Sequence, residues 1–164
     1  MSTVPAYYAK LRAALAGIGY LTPGAPFRLT TTGSRRGFEH GIWESVVRDI
    51  LTLVDSRHGQ RGVRHSHGDA IGMDRLCGRV GAELGFQVVD YSVRPRDFAI
   101  WGAAAPLHRD EFMISTEMPD LVVALFAVLP SNGTAHTAGF AQERGIPVVR
   151  VTYEDLLVHV PVTW

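Results

Sequence analysis

The chain contains an eight-residue run without a polar side chain, Leu121-Val122-Val123-Ala124-Leu125-Phe126-Ala127-Val128. Valine-rich runs of about four to eight residues are typical of buried strands. A strand that is apolar on both faces must be covered on both faces, as the central strand of a parallel sheet is. The run therefore predicts a parallel sheet with helices packed on each of its faces.

A turn rich in small residues follows this strand and leads into a helix-like pattern, Pro130-Ser131-Asn132-Gly133-Thr134-Ala135-His136-Thr137-Ala138-Gly139-Phe140-Ala141. Glycine lets the backbone approach a ligand closely, and Gly133 is able to take a positive φ. The first N–H groups of a helix are free and lie at the positive end of its dipole, so the turn is suited to bind phosphate. An ordinary strand-to-helix turn with Thr134 as the N-cap has the same composition.

Two further turns of this kind precede it in the chain. Gly33-Ser34-Arg35-Arg36-Gly37 follows a β-branched run, and His67-Gly68-Asp69-Ala70-Ile71-Gly72-Met73-Asp74 follows a short strand pattern. Parallel strands end at the same edge of their sheet, and open sheets bind ligands beyond these carboxyl ends. The three turns are therefore predicted to converge on one cleft.

The remaining pattern alternates between strands and helices. We predict strands at residues 27–32, 62–66, 86–91, 120–129 and 147–151, helices at 41–56, 71–84, 107–116, 134–144 and 153–158, and a loop at 92–105. This alternation predicts an α/β fold of about five parallel strands. A helix at 6–16 and a proline- and glycine-rich linker precede it, so residues 1–26 form a helix and linker and residues 27–164 form one domain.

Composition limits the classes of partner. Sixteen basic residues balance sixteen acidic ones, so no overall charge favours nucleic acid or an anionic membrane. The single cysteine, Cys77, lies in a helical pattern, where a core thiol is expected, and fits a cytoplasmic protein. No apolar run approaches the length that spans a bilayer, and the N-terminus lacks the pattern of a signal peptide. We therefore expect no membrane partner.

The ordered motifs resemble the SLOG superfamily, and more narrowly its YspA-like branch. The motifs are the three turns above together with Asp97-Phe98, Gly102, Ala105, Arg109-Asp110 and Gly145-Ile146-Pro147-Val148. The resemblance runs from residue 28 to about 151 and leaves out the N-terminal helix. It implies a Rossmann-like domain with a pocket for a nucleotide or nucleotide-derived ligand and no required cofactor. The superfamily also contains the LOG phosphoribohydrolases and the DNA-processing DprA proteins.

The chain departs from these patterns at several positions. Phe98 stands where the YspA-like pattern usually has tryptophan, Pro106 where it has glycine, and Asp110 where it has asparagine. The LOG enzymes have a glutamate at the position of Thr137. Loss of that carboxylate argues against LOG-type hydrolysis.

The predicted binding residues come from the three turns and from the Arg109-Asp110 pair. They are Gly33, Ser34, Arg35, His67, Gly68, Asp69, Gly72, Asp74, Arg109, Asp110, Ser131, Asn132, Gly133 and Thr134. Guanidinium groups bind phosphate bidentately, which favours Arg35, Arg36 and Arg109 as the phosphate ligands.

Asp74 has two interpretations. We favour a role in binding ribose hydroxyls, and it is also the candidate catalytic acid or base. Trp101 fits either a core position or a ring that stacks on a base. His65 and His67 are too few for a metal site, so no metal is expected.

Three functions stay open at this point. The pocket senses or sequesters a nucleotide-derived molecule, or it cleaves or transfers an N-glycosidic bond with Asp74, Asp69 or Asp110. Single-stranded DNA binding, as in the DprA branch, is disfavoured by the neutral charge. SLOG-like domains commonly pair through helices beside the pocket, so the resemblance also implies at least a homodimer. The amphipathic N-terminal helix offers an additional apolar face.

Overall fold

The computed structural model describes residues 2–37 and 41–162. The strands are β1 (Ser2–Pro5), β2 (Phe27–Gly33), β3 (Val63–His67), β4 (Gln87–Asp90), β5 (Leu121–Phe126), β6 (Val148–Thr152) and β7 (His159–Val162). The helices are α1 (Ala6–Gly17), α2 (Ile42–His58), α3 (Met73–Glu83), α4 (Pro95–Trp101), α5 (Ala105–Glu117), α6 (Asn132–Glu143) and α7 (Tyr153–Leu157). Short 3₁₀ turns follow α2 and α4, at Gly59–Arg61 and Gly102–Ala104.

Five parallel strands form the central sheet in the order β4-β3-β2-β5-β6. This is the strand order of a Rossmann-like fold, so the predicted fold class is confirmed. The chain crosses from β2 outwards in one direction to β3 and β4, and it later returns to place β5 on the other side of β2. The point where the order reverses lies between β2 and β5, where Gly33 pairs with Leu125.

The apolar run in β5 is explained by the two layers that cover it. Leu121, Val123 and Leu125 pack into a core with residues of α1, α2 and α3. The alternate residues of the strand belong to the opposite face, where Val122 packs with Ile114 of α5 and Ala141 of α6. Side chains of a strand alternate between its faces, so both sets must be apolar.

Helix α1 is part of this core. Its residues Tyr7, Leu11 and Leu15 are buried there, and the Tyr7 hydroxyl donates a hydrogen bond of 2.8 Å to Asp49 of α2. The apolar face that we expected α1 to offer for assembly is therefore covered by its own chain, and that expectation is wrong.

The structure differs from the predicted elements in four places. The expected loop at 92–105 contains α4, which begins at Pro95, and a 3₁₀ turn. The expected strand at 120–129 ends at Phe126, and Ser131 is the N-cap of α6 in place of Thr134. The antiparallel pair β1 and β7 was not predicted. In the described ranges, no helix combines the length and hydropathy needed to cross a membrane.

Candidate functional site

A cavity of about 430 Å³ lies at the carboxyl ends of β2 and β5, where the strand order reverses. Its volume lies in the range of small-molecule pockets. Its lining includes nine of the predicted residues, which come together from four parts of the chain: Gly33, Arg35, Asp74, Arg109, Asp110, Ser131, Asn132, Gly133 and Thr134. The cleft expected from the three turns is therefore present.

Glycines shape the junction between the end of β2 and the start of α3. Gly72 has a φ of +99°, and a Cβ there would lie 2.7 Å from the carbonyl oxygen of Arg35. A Cβ on Gly33 would collide with the side chain of Met73. Both glycines let the two segments touch, and the Met73 N–H donates to the Ser34 carbonyl at 3.2 Å. Gly33 borders the cavity, whereas Gly72 supports it from behind.

Ser34 connects the turn after β2 to β5 and the residue that follows it by hydrogen bonds. Its N–H donates to the Leu125 carbonyl at 3.1 Å, and its Oγ accepts a hydrogen bond of 3.2 Å from the Ala127 N–H. The side chain is buried and does not line the cavity. The structure thus gives Ser34 a supporting position and not the predicted contact with a ligand.

Arg35 and Arg36 are the exposed cations of the cavity. Both side chains line it, and neither forms a hydrogen bond or ion pair with another described residue. An arginine without a carboxylate partner keeps its full charge and its donors available for an incoming anion. These two residues are therefore the strongest anion-binding groups at the site.

The N-terminus of α6 faces the same cavity. Ser131, Asn132, Gly133 and Thr134 line it, and the hydroxyls of Ser131 and Thr134 lie 2.8 Å apart. No side chain caps the first turn, so its N–H groups are available to an anion. Gly133 is not among the described glycines with positive φ, so the turn does not use that freedom. A Cβ at Gly133 would meet nothing within 4 Å, so the space beside it is open.

Arg109 and Asp110 form a tight pair in α5. The Arg109 Nε donates to Asp110 Oδ1 at 2.6 Å, and Nη1 donates to the carbonyls of Gly68 and Tyr91. Thr137 donates to the second oxygen of Asp110 at 2.9 Å. The charge of Arg109 is therefore compensated inside the protein, and its hydrogen bonds hold the ends of β3 and β4. Burial raises the pKa of Asp110, although Arg109 and Thr137 oppose that change.

Asp74 is buried in the first turn of α3 and borders the cavity. It accepts hydrogen bonds from the N–H groups of Gly33 at 3.2 Å and Ala70 at 3.3 Å. Burial, and next the negative charge of Asp110, raise the pKa of Asp74 to about 7. At neutral pH the carboxyl group therefore exists in both protonation states, so it is able to accept or donate a proton.

His67, Gly68 and Asp69, at the start of the same turn, lie outside the cavity lining. The His67 ring is buried beside Gly78 of α3, and its Nδ1 accepts the Asp69 N–H at 3.0 Å. Burial lowers the pKa of His67, which keeps the ring neutral. A Cβ on Gly68 would lie 2.8 Å from the Arg109 guanidinium carbon. Asp69 has a φ of +53° and pairs with Arg75 at 3.4 Å. These residues position Arg109 and Asp74 and do not themselves face the cavity.

Sequence reasoning missed one wall of the cavity. Ala103, Pro106 and Leu107, in the region of α4 and α5 that we predicted in part as a loop, line it together with Thr32, Ala70, Val128 and Pro130. The run of small residues at 102–105 was the available signal, because small side chains allow close approach. Within residues 2–37 and 41–162, no group of three or more histidine, cysteine, aspartate or glutamate side chains is placed to hold a metal ion.

Comparisons with protein-family models, with curated proteins and with solved structures found no match to this chain.

Proposed function

We propose that the protein binds a phosphorylated, nucleotide-derived small molecule in this cavity, as a sensor or a sequestering protein. The observation that supports this proposal is that Arg35 and Arg36, which form no ion pair with another described residue, share the cavity with the N-terminus of α6, whose first turn no described side chain caps. Guanidinium donors and helix N–H groups are the protein groups that best complement a phosphate dianion. The order of the motifs also supports membership of the SLOG superfamily, which we propose on that ground.

The test is calorimetric titration with AMP. Replacing Arg35 or Arg36 by alanine should weaken binding by roughly 1.5–3 kcal/mol, the range for hydrogen bonds to a charged group. Arg57→Ala is the matched control, because Arg57 is an exposed arginine at the far end of α2. Equal affinity of the wild type and both cavity variants for AMP would refute this placement of the phosphate.

Arg109 is a poor choice for this test. Its Nε is bound to Asp110 and its Nη1 to two carbonyl groups. Its removal would leave a buried carboxylate without its cation and would destabilise the fold. We had expected Arg109 to act as a phosphate clamp, and we now propose a supporting role for it.

A second candidate function, cleavage or transfer of an N-glycosidic bond, is favoured by one observation. Asp74 borders the cavity with a pKa raised to about 7, close to that of an effective general acid or base. Hydrolysis would add water across the bond between base and ribose and release the free base. Incubation with nucleoside monophosphates, NAD and cyclic nucleotides, followed by an assay for free base, tests it. Release by the wild type that is abolished in Asp74→Asn would favour the enzyme over the binder.

We keep binding as the first proposal. Asp74 already accepts two backbone N–H groups, and Thr137 stands where the LOG enzymes have glutamate. No release above background by the wild type, together with binding of AMP, is the result we expect.

We further propose a homodimer in the cytoplasm. Helix α4 beside the cavity exposes Phe98 and Ile100, which are candidate contacts, and the buried, unpaired Cys77 suits a reducing compartment. A monomer mass in light scattering at micromolar concentration would contradict the dimer.

A further inference from the structure

A second cavity of about 730 Å³ adjoins the first. It lies at the carboxyl end of β4, where Asp90 and Tyr91 form one wall, and α4 and α5 form the other. Arg109 lines both cavities. At the start of α5 the lining passes from one cavity to the other, since Ala105 belongs to the second cavity and Pro106 to the first. A single ligand could therefore reach from one cavity to the other past Arg109.

The second cavity is lined by aromatic rings, and we call it the aromatic pocket. The rings of Trp101 and His108 stack with centroids 4.7 Å apart and planes 27° apart. Trp101 remains 44% exposed and Phe112 remains 64% exposed. The Phe112 ring also lies edge-on to the ring of Tyr91, with the two ring centroids 6.1 Å apart. Large apolar rings at the wall of a cavity lose their contact with water when a flat ring is inserted, which favours such a ligand.

Polar groups are present beside these rings. Asp90 and Arg96 line the aromatic pocket, and the Arg96 side chain has no hydrogen bond or ion pair with the rest of the described chain. A carboxylate offers acceptors, and a guanidinium group offers donors. A ring with both donors and acceptors at its edge, as a nucleobase has, fits this lining better than a purely apolar ring.

We infer that the aromatic pocket holds the base of the same nucleotide whose phosphate lies at Arg35 and Arg36. The inference rests on the proposed function and adds the position and chemistry of the other end of the ligand. Arg109, tied to Asp110 and to the Gly68 and Tyr91 carbonyls, forms the rigid boundary over which the ribose passes. The ligand class is accordingly a nucleotide, and not a phosphate ester without an aromatic ring.

The experiment compares AMP with ribose 5-phosphate, which has the same sugar and phosphate and no base. Loss of a stack between a base and an aromatic side chain weakens binding by about tenfold to a hundredfold. The wild type should therefore bind AMP at least about tenfold more tightly than ribose 5-phosphate. Trp101→Leu should remove most of that difference and leave the affinity for ribose 5-phosphate unchanged. Phe112→Leu should act in the same direction.

Ile100→Ala is the matched control, since Ile100 is an exposed apolar neighbour of Trp101 that does not line the pocket. It should change neither affinity, and circular dichroism should show all variants folded.

The inference and the proposed function fail in different ways. If AMP and ribose 5-phosphate bind equally, with both affinities lowered in Arg35→Ala, the base does not occupy the aromatic pocket and the phosphate site stands. If neither compound binds, the proposed function and the inference both fail. If Trp101→Leu alters the oligomeric mass and leaves both affinities unchanged, the pocket is a protein contact and the inference is overturned.

Discussion

A substitution at Gly133 should affect ligand binding without destabilising the fold. Its Cβ position is open and borders the cavity, and its φ is in the ordinary negative range. Gly133→Ala should therefore leave the unfolding free energy unchanged or raise it by up to about 1 kcal/mol, because alanine loses less backbone entropy in a helix. The added methyl group should weaken binding of AMP, which calorimetry would measure.

Gly139 provides the control in the same helix. A Cβ at Gly139 also meets nothing within 4 Å, but the residue does not line the cavity. Gly139→Ala should match Gly133→Ala in stability and match the wild type in affinity. Equal affinity of all three proteins would show that the ligand does not approach the first turn of α6.

Asp74 should make stability depend on pH in a defined direction. Its pKa is raised from 3.8 to about 7 on folding, so the folded protein holds this proton more tightly than the unfolded chain does. The resulting stabilisation is fully present below pH 3.8 and is lost as the pH rises towards 7. A change of this size corresponds to at most about 4 kcal/mol.

The variant Asp74→Asn isolates this effect from other titrating groups. Burial lowers the pKa values of His58, His65 and His67, so these histidines favour stability as the pH rises, which is the opposite direction. The unfolding free energy of Asp74→Asn relative to the wild type should therefore increase between pH 4 and pH 7 in urea denaturation. A difference that is constant over this range would show that Asp74 keeps its ordinary pKa.

At the scale of elements, the strands and helices with a periodic or continuous apolar sequence pattern were predictable. Elements without such a pattern were not. The apolar run of β5 indicated its own central place because both its faces had to be buried. Helix α4 was missed because it has only seven residues and buries none of them, so its sequence lacks the pattern of one buried apolar face. The pairing of β1 with β7 joins distant parts of the chain, and no local pattern reports it.

The same limit explains the site. The turns located the cleft, because strand ends in a parallel sheet share one edge. The turns did not show which of their side chains would be buried or paired with other residues, and so would not face the cleft. His67 is buried beside α3, and Arg109 is neutralised by its neighbour Asp110. The burial of His67 depends on how α3 packs against β3, and the pairing of Arg109 with Asp110 depends on a side-chain rotamer. The spacing of residues in the sequence predicts neither of them.

Helix α1 also gives a testable result at this scale. Leu11 is completely buried in the main core, so Leu11→Ala should lower the unfolding free energy by about 2–5 kcal/mol. Leu157→Ala, at an exposed leucine of α7, should change it by less than about 0.5 kcal/mol. Denaturation curves for both variants test this. Equal stability of Leu11→Ala and the wild type would show that α1 folds apart from the sheet.

At the scale of the whole molecule, hydrogen bonds between different helices and strands fix the walls of the two cavities at one edge of the sheet. Arg109 of α5 binds the ends of β3 and β4, and Asp110 receives a hydrogen bond from Thr137 of α6. Asp74 of α3 accepts the Gly33 N–H at the end of β2. These groups are therefore fixed by hydrogen bonds within the protein, whereas the side chains of Arg35 and Arg36 form none with another described residue.

The buried Asp74 beside this cleft has a consequence for how the protein exchanges protons with its solvent. Near neutral pH both protonation states of the carboxyl group are populated, because burial raises its pKa to about 7. A phosphate dianion in the cavity repels the charged form, so each binding event should draw a fraction of a proton from the buffer. The heat of AMP binding should then vary linearly with the ionisation enthalpy of the buffer, and Asp74→Asn should remove the part of that slope that comes from Asp74. The affinity for AMP should decline between pH 7 and pH 8, although the phosphate is already doubly charged there. The pH of the solvent would then control the fraction of the protein that holds a ligand.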